Sequence, residues 1–143
     1  MHHPPAAVTE WITSMVMIRR AQMTAFQDAA LRDFERRMVL HLSQTFPAVC
    51  EPLGDAGVRE SIQYGMQRAG SYGIAAERDV CKYIDLMFVF GRDFDKDPSL
   101  PWAAGILHDD DLGDASKRME ALSDAGLAHL HAAAATGEPG KQP

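Results

Sequence analysis

Apolar residues recur at every third or fourth position between Arg20 and Phe46, and Pro47 follows directly. This spacing matches the turn of an α-helix and places the apolar side chains on one stripe. Proline disfavours a helical conformation in the residue before it, so we expect the helix to stop at Pro47. A helix of this length would be the spine of a small domain. The stripe consists of Met23, Phe26, Ala30, Phe34, Met38 and Leu42.

Local signals mark the ends of further helices. Asp55 is a good N-cap residue for a second helix that runs to Tyr72. Gly73 followed by the apolar Ile74 fits a Schellman ending for that helix. Pro101 is well placed as the first residue of a short helix, where its missing N–H costs nothing. The segments expected to be helical after the first are 55–72, about 76–90, 101–107 and 115–134.

Two of these helices carry informative apolar patterns. The third helix reads YIDLMFVF in its second half and is apolar nearly all round. Such a helix is either the buried centre of a bundle or presents one face to a partner. The last helix carries an apolar stripe that we expect to face the core, formed by Met119, Leu122, Leu127 and Leu130.

No segment shows the apolar–polar alternation of a half-buried strand. We therefore predict an all-α fold, a single compact bundle of about four long helices plus one short helix, with flexible termini. The expected boundaries are an N-terminal arm over 1–17, a helical domain over 18–134 and a disordered tail over 135–143.

Charge and composition exclude several classes of protein. The net charge is −6, which disfavours nucleic-acid binding because phosphate contacts need a surplus of Lys and Arg. No apolar run approaches the ~18 residues of a membrane span, and the N-terminus does not have the pattern of a signal peptide. Cys50 and Cys81 both have apolar neighbours and are expected to be free thiols, with a disulfide as the alternative. These features predict a cytoplasmic protein that binds neither nucleic acid nor membranes.

The segment GRDFDKDPSLPW, residues 91–102, raises the question of calcium binding. Asp93, Asp95 and Asp97 alternate as the first ligands of an EF-hand loop do. However, Pro98 and Ala104 occupy the positions where that loop needs a glycine and a bidentate glutamate. We therefore interpret the aspartates as turn formers and surface charge between two helices.

The histidines do not predict a metal site. His129 and His131 lie two positions apart on a helix and so point to different faces. His41 and His108 have no ligand partner nearby in the sequence. We expect no metal and no cofactor.

Asp85 is the one charged residue inside the apolar YIDLMFVF segment. Burial of an unpaired carboxylate is costly, so Asp85 must reach water, a hydrogen-bond donor or a cation. Pairing with an Arg, His or Tyr of a neighbouring helix is the first interpretation, and a partner-facing role or a catalytic acid or base are the alternatives. No second carboxylate or nucleophile is spaced to complete a catalytic set, so we predict that the protein is not an enzyme.

Residues 76–107 carry a family resemblance. The DLMF segment, Phe94, the turn at Asp97 and Pro98, and PWA followed by IL resemble small bacterial proteins of uncharacterised function. Those proteins are encoded beside genes for type VI secretion spike proteins, PAAR-tip proteins and toxic effectors. The likeness extends over about 17–130, and it brings no catalytic residues with it.

The resemblance implies an interaction protein, an adaptor or co-chaperone that helps to load an effector onto the secretion spike. Its partners would be the secreted effector, the effector's chaperone, or both, and self-association stays open. The alternative is a cytoplasmic immunity protein, since an acidic surface could mask a toxin such as a nuclease. The candidate interaction residues are Asp85, Phe90, Phe94, Asp97, Pro98, Pro101 and Trp102.

Overall fold

A computed structural model describes the backbone of residues 6–135 and the side chains of residue 25 and residues 27–135. Over this range the chain forms five α-helices and two short 3-10 helices, without a strand. The all-α prediction is therefore confirmed. The chain divides into two compact units, Met1–Arg37 and Met38–Pro143. The single bundle and the domain boundaries predicted from the sequence stay predictions, and most of the predicted tail lies outside the described residues.

Helix α1 spans Ala6–Thr45, and the boundary between the two units falls within it. The predicted start near Arg20 was wrong, since the helix begins well before it, whereas the predicted end at Pro47 is confirmed. Part of the predicted apolar stripe is buried, and Ala30 is exposed. The side chains of Met23 and Phe26 lie outside the described residues. The buried stripe residues are Phe34, Met38 and Leu42.

Apart from the buried Phe34, the described side chains of the first unit are partly or fully exposed. The Asp33 carboxylate pairs with Arg36 and Arg37, one turn further along, with Arg37 Nε 2.8 Å from Asp33 Oδ2. Pairs at these spacings stabilise an exposed helix modestly. Hydrogen bonding to Arg37 lowers the pKa of Asp33.

Helix α2 spans Pro47–Ser71 and is interrupted once. Gly54 has φ +68° and ψ 172°, a conformation outside the helical region that glycine adopts without steric cost. Asp55, the predicted N-cap, directly follows this break. The sequence signal for a helix start therefore marks the point where the helix resumes, and the turns from Pro47 to the break were not anticipated.

The end of α2 is the predicted Schellman motif. Ile74 N donates to Ala69 O at 3.0 Å and Gly73 N donates to Gly70 O at 3.0 Å. Gly73 has φ +78°, the left-handed conformation that the motif requires at this position. Ile74 is buried, as the apolar residue of this motif should be.

The remaining elements lie close to their predicted bounds. Helix α3 spans Glu77–Phe90, α4 spans Pro101–Leu107 and α5 spans Ala115–Ala135. Short 3-10 helices cover Phe94–Lys96 and Asp110–Leu112. No helix in the described part of the chain has both the length and the apolar composition of a membrane span.

The core of the second unit centres on α3. Tyr83 and Ile84 are fully buried, and α2 approaches α3 closely at Gly65. A Cβ atom at Gly65 would lie 2.7 Å from Ile84 Cγ1 and 2.8 Å from Met87 Sδ. Such distances are shorter than van der Waals contact, so only glycine fits at this crossing.

The turn between α3 and α4 is fixed by a buried ion pair. Asp95 is 1% exposed and its carboxylate accepts hydrogen bonds from the Arg68 guanidinium and, at 2.6 Å, from the Tyr72 hydroxyl. The interpretation of Asp95 as surface charge was therefore wrong. Its partners lie in α2 and at the residue that caps α2, 27 and 23 positions earlier in the chain, so the local sequence gives no sign of them.

The other two aspartates of this turn point to separate partners. Asp93 accepts from the Tyr64 hydroxyl. Asp97 accepts from the backbone N–H of Ser99 at 2.9 Å and from its hydroxyl at 2.7 Å, which is the turn-forming role expected of it. Each of the three carboxylates therefore accepts hydrogen bonds from different donors, and the three do not share a partner.

Arg118 of α5 connects the ends of two other helices. Its Nη1 donates to Leu107 O at 2.9 Å and its Nη2 donates to Tyr72 O at 3.1 Å. These carbonyls lie at the C-termini of α4 and α2, where backbone acceptors lack helical partners and a positive charge is favoured. One guanidinium therefore satisfies two helix ends.

Candidate functional site

A shallow groove of about 200 Å³ lies between α3 and α5. Three of its large apolar side chains are substantially exposed: Val89 by 41%, Leu127 by 54% and Leu130 by 43%. Single exposed apolar residues are common on proteins, but several around one groove are typical of a contact surface. The groove is lined by Lys82, Asp85, Leu86, Val89, Phe90, Ser123, Gly126, Leu127 and Leu130.

Leu127 and Leu130 were predicted to continue the buried stripe of α5, and this was wrong. Met119 and Leu122 are fully buried, and the buried residue that follows them is Gly126. A step of five residues from Leu122 to Leu127 turns the helix by about 140°, which carries Leu127 off the buried face. The two exposed leucines therefore flank the groove.

Gly126 sets the depth of the groove. A Cβ atom there would lie 3.1 Å from Leu86 Cδ2 and 3.2 Å from Phe90 Cε2, so its absence lets α5 lie close to α3. A larger residue would fill the space between the helices. Sequence reasoning did not identify this glycine as part of the site.

Aromatic rings connect the groove to α4. The Trp102 ring meets the Phe90 ring edge-on with centroids 5.3 Å apart, and His129 of α5 lies 5.7 Å from Phe90 and 5.9 Å from Trp102. Edge-to-face pairs at these distances are favourable. Trp102 thus anchors α4 against α3 and α5, next to the groove.

The candidate interaction residues separate into two sets. Asp85 and Phe90 line the groove, and Trp102 packs against Phe90. The remaining four lie in the turn and at the start of α4. Phe94 is 1% exposed with its ring 5.1 Å from that of Tyr83, so it belongs to the core. The others in this set are Asp97 in its hydrogen-bonded turn, the exposed Pro98, and the exposed Pro101 at the first turn of α4.

Asp85 pairs with a histidine, as first interpreted. His41 Nε2 lies 2.8 Å from Asp85 Oδ1 and 3.1 Å from Oδ2. Burial raises the pKa of Asp85, and the hydrogen bond from His41 opposes that rise. Sequence reasoning gave His41 no ligand partner, because the two residues are 44 positions apart.

Cys81 lies beside this pair. One ligand atom from each of His41, Cys81 and Asp85 lies within 4.8 Å of the other two, and all three residues are partly exposed. Burial, followed by the charge of Asp85, raises the pKa of the Cys81 thiol. A nucleophilic cysteine needs the opposite shift, so this group does not resemble an activated thiol. Cys50 and Cys81 are free thiols, as expected.

A larger polar cleft of about 700 Å³ lies near the turn after α3. Its lining includes Arg68 and Arg118, whose positive charges attract anions. Arg68 already pairs with Asp95, and Arg118 already binds two backbone carbonyls. We therefore assign a structural role to both arginines.

Comparison with family models, curated proteins and solved structures returned no match.

Proposed function

We propose that this chain is a non-enzymatic interaction protein that binds a helix of a protein partner in the α3–α5 groove. The observation that carries the proposal is the set of exposed apolar side chains around that groove. A partner helix bound in this way would place apolar residues at helical spacing into the groove and cover Val89, Leu127 and Leu130.

Charge around the groove supports a partner with basic residues beside its apolar face. Lys82 and Asp85 line the groove with one charge of each sign. The exposed Glu120 and Asp124 lie one turn before Ser123 and Leu127 on α5 and leave the acidic side chains in excess. The chain as a whole carries a net charge of −6. Complementary charge would orient the partner helix and speed its association.

The family resemblance of residues 76–107 supports a narrower role. We propose an adaptor or co-chaperone in the cytoplasm of the producing bacterium that assists loading of a type VI secretion effector. The partner would then be the effector or its chaperone. An adaptor of this kind must bind and release, which suits a small groove better than a large permanent interface.

Co-purification tests the proposal directly. The full chain is expressed with the effector and chaperone encoded beside its gene, and we expect at least one of them to be recovered with it. The double variant Leu127→Asp with Leu130→Asp should reduce the affinity at least tenfold, about 1.4 kcal/mol, because charge would be buried in the contact. Its melting temperature should stay close to that of the parent chain, since both side chains are exposed.

Leu40→Asp is the matched control. Leu40 is 60% exposed and does not line the groove, so this variant should bind the partner as the parent chain does. Equal loss of binding in both variants would contradict the groove as the binding site. Recovery of neither partner, with the chain alone protecting a cell that expresses the toxin domain, would favour the immunity function instead. Turnover of a small substrate that Asp85→Asn abolishes would contradict both functions.

A further inference from the structure

His41, Cys81 and Asp85 bring three different metal-ligating groups together at one point of the second unit. Cys81 and Asp85 lie four positions apart on α3 and therefore share one face of the helix. His41 reaches them from α1, with its Nε2 atom hydrogen-bonded to the Asp85 carboxylate. The three ligand atoms lie within 4.8 Å of one another.

We propose that His41, Cys81 and Asp85 bind a divalent transition-metal ion, with Zn²⁺ as the ion that fits best. Zinc takes one imidazole nitrogen, one thiolate and one carboxylate oxygen readily, at about 2.0–2.3 Å each. Hard cations such as Ca²⁺ and Mg²⁺ prefer oxygen ligands only, so the histidine and cysteine disfavour them.

The distances suit the ion after small side-chain adjustments. Ligand atoms around a tetrahedral zinc lie about 3.4–3.8 Å apart, as follows from the bond lengths. His41 Nε2 and Asp85 Oδ1 are now 2.8 Å apart, because they share a hydrogen bond. An ion would bind at Nε2 in place of its proton, and the neutral imidazole would then carry its one proton on Nδ1. The distance between Nε2 and Oδ1 would increase by less than about 1 Å, while Cys81 Sγ moves inward.

Exposure gives the ion access and leaves a coordination position open. The side chains of His41 and Asp85 are 39% and 33% exposed, and Cys81 is also partly exposed. Three protein ligands leave the fourth position of a tetrahedral ion to water or to a side chain of another protein. Binding also requires loss of the Cys81 thiol proton to solvent, so affinity should increase with pH.

Metal titration of the full chain tests this site independently of any partner. The chain is reduced, treated with a chelator and titrated with Zn²⁺ in competition with a chromophoric chelator. We expect one Zn²⁺ per chain and a raised melting temperature, because the ion binds the folded chain. Co²⁺ should give the near-ultraviolet sulfur-to-metal charge-transfer absorption that only a thiolate ligand produces. Absence of stoichiometric binding would overturn the proposal.

Substitutions identify the ligands. Cys81→Ser should abolish the charge-transfer absorption, and His41→Gln or Asp85→Asn should weaken Zn²⁺ binding by more than the 10–100-fold that loss of an outer-shell partner costs. Cys50→Ala removes the other thiol, which lies outside the cluster, and should leave Co²⁺ absorption unchanged. Charge-transfer absorption that survives Cys81→Ser and disappears in Cys50→Ala would place the metal elsewhere and overturn the site.

Alkylation of the unmodified chain provides a measurement that needs no variant. Zn²⁺ bound at this site should protect Cys81 from a thiol reagent, with mass spectrometry of the digested chain as the readout. Cys50 is buried and outside the cluster, so its reactivity should not depend on Zn²⁺. Equal alkylation of Cys81 with and without the ion would contradict the site.

Discussion

A single buried carboxylate organises the turn that follows α3. Asp95 holds Arg68 of α2 and Tyr72, the residue that caps α2, against that turn through charge-assisted hydrogen bonds. Burial disfavours the ionised carboxylate, but the bonds from Tyr72 and Arg68 outweigh this effect and lower the pKa of Asp95. The residue that the sequence suggested as surface charge is thus an internal anchor.

Replacement of Asp95 should therefore be costly. Asp95→Asn keeps the size of the side chain but leaves Arg68 without its counter-ion, and we expect a loss of about 3 kcal/mol in the free energy of unfolding. Urea unfolding at neutral pH would measure it. Asp97→Asn is the control, because an asparagine oxygen can still accept from Ser99, and its effect should stay within about 0.5 kcal/mol.

The ion pair of Asp95 and Arg68 makes the free energy of unfolding depend on pH in a direction that can be predicted. The pKa of Asp95 in the folded chain lies below its ordinary value of 3.8, so its contribution is present above that pH. The contribution is lost as the pH falls through the lower folded value. Acidification to about pH 3 should therefore narrow the stability difference between the parent chain and Asp95→Asn. A constant difference across this range would contradict the ion pair.

At the scale of elements, two glycines of α2 have opposite surroundings, and only Gly65 lies at the contact with α3. Gly65 meets Ile84 and Met87, where no Cβ fits, whereas no other side chain lies within 4 Å of the position that a Cβ would take at Gly70. Gly65→Ala should destabilise the chain by about 1–3 kcal/mol through overpacking. Gly70→Ala should stabilise it by about 0.5–1 kcal/mol, because alanine favours the helix. Thermal unfolding of the two variants measures both changes in stability. A stabilising Gly65→Ala would contradict the close crossing of α2 and α3.

The apolar pattern of α5 predicted the position of the helix correctly, but it predicted wrongly which side chains the helix buries. Its bounds follow from periodicity, and Met119 and Leu122 are buried as expected. The spacing from Leu122 to Leu127 breaks the stripe, and the two leucines beyond it are exposed around the groove. The two leucines were assigned to the core because the prediction counted apolar residues and did not consider their angular positions around the helix.

At the scale of the whole molecule, the predictable features were those with local causes. The all-α class, the Schellman ending at Gly73 and the short helix from Pro101 depend on residues within one or two turns of each other. The start of α1 was missed, because six of the fourteen residues from Ala6 to Arg19 are β-branched and have a low helix propensity.

The candidate sites depend on tertiary contacts, and local patterns do not encode these. His41 and Asp85 meet across 44 positions, and Asp95 meets Arg68 across 27. The sequence did show that Asp85 needed a partner, since a lone carboxylate in an apolar segment must be satisfied. It could not show which residue would supply that partner, or that Cys81 would lie beside both.

The position of Arg118 has a consequence for how the second unit opens. Detachment of α5 would break the bonds to Tyr72 O and Leu107 O together, leaving the ends of α2 and α4 without these donors. Fraying of the three segments should then be one cooperative event, visible in native-state hydrogen exchange as amides that share one opening free energy. Arg118→Ala should split that group into separately exchanging ends. Unchanged exchange in the variant would show that the three segments open independently of this side chain.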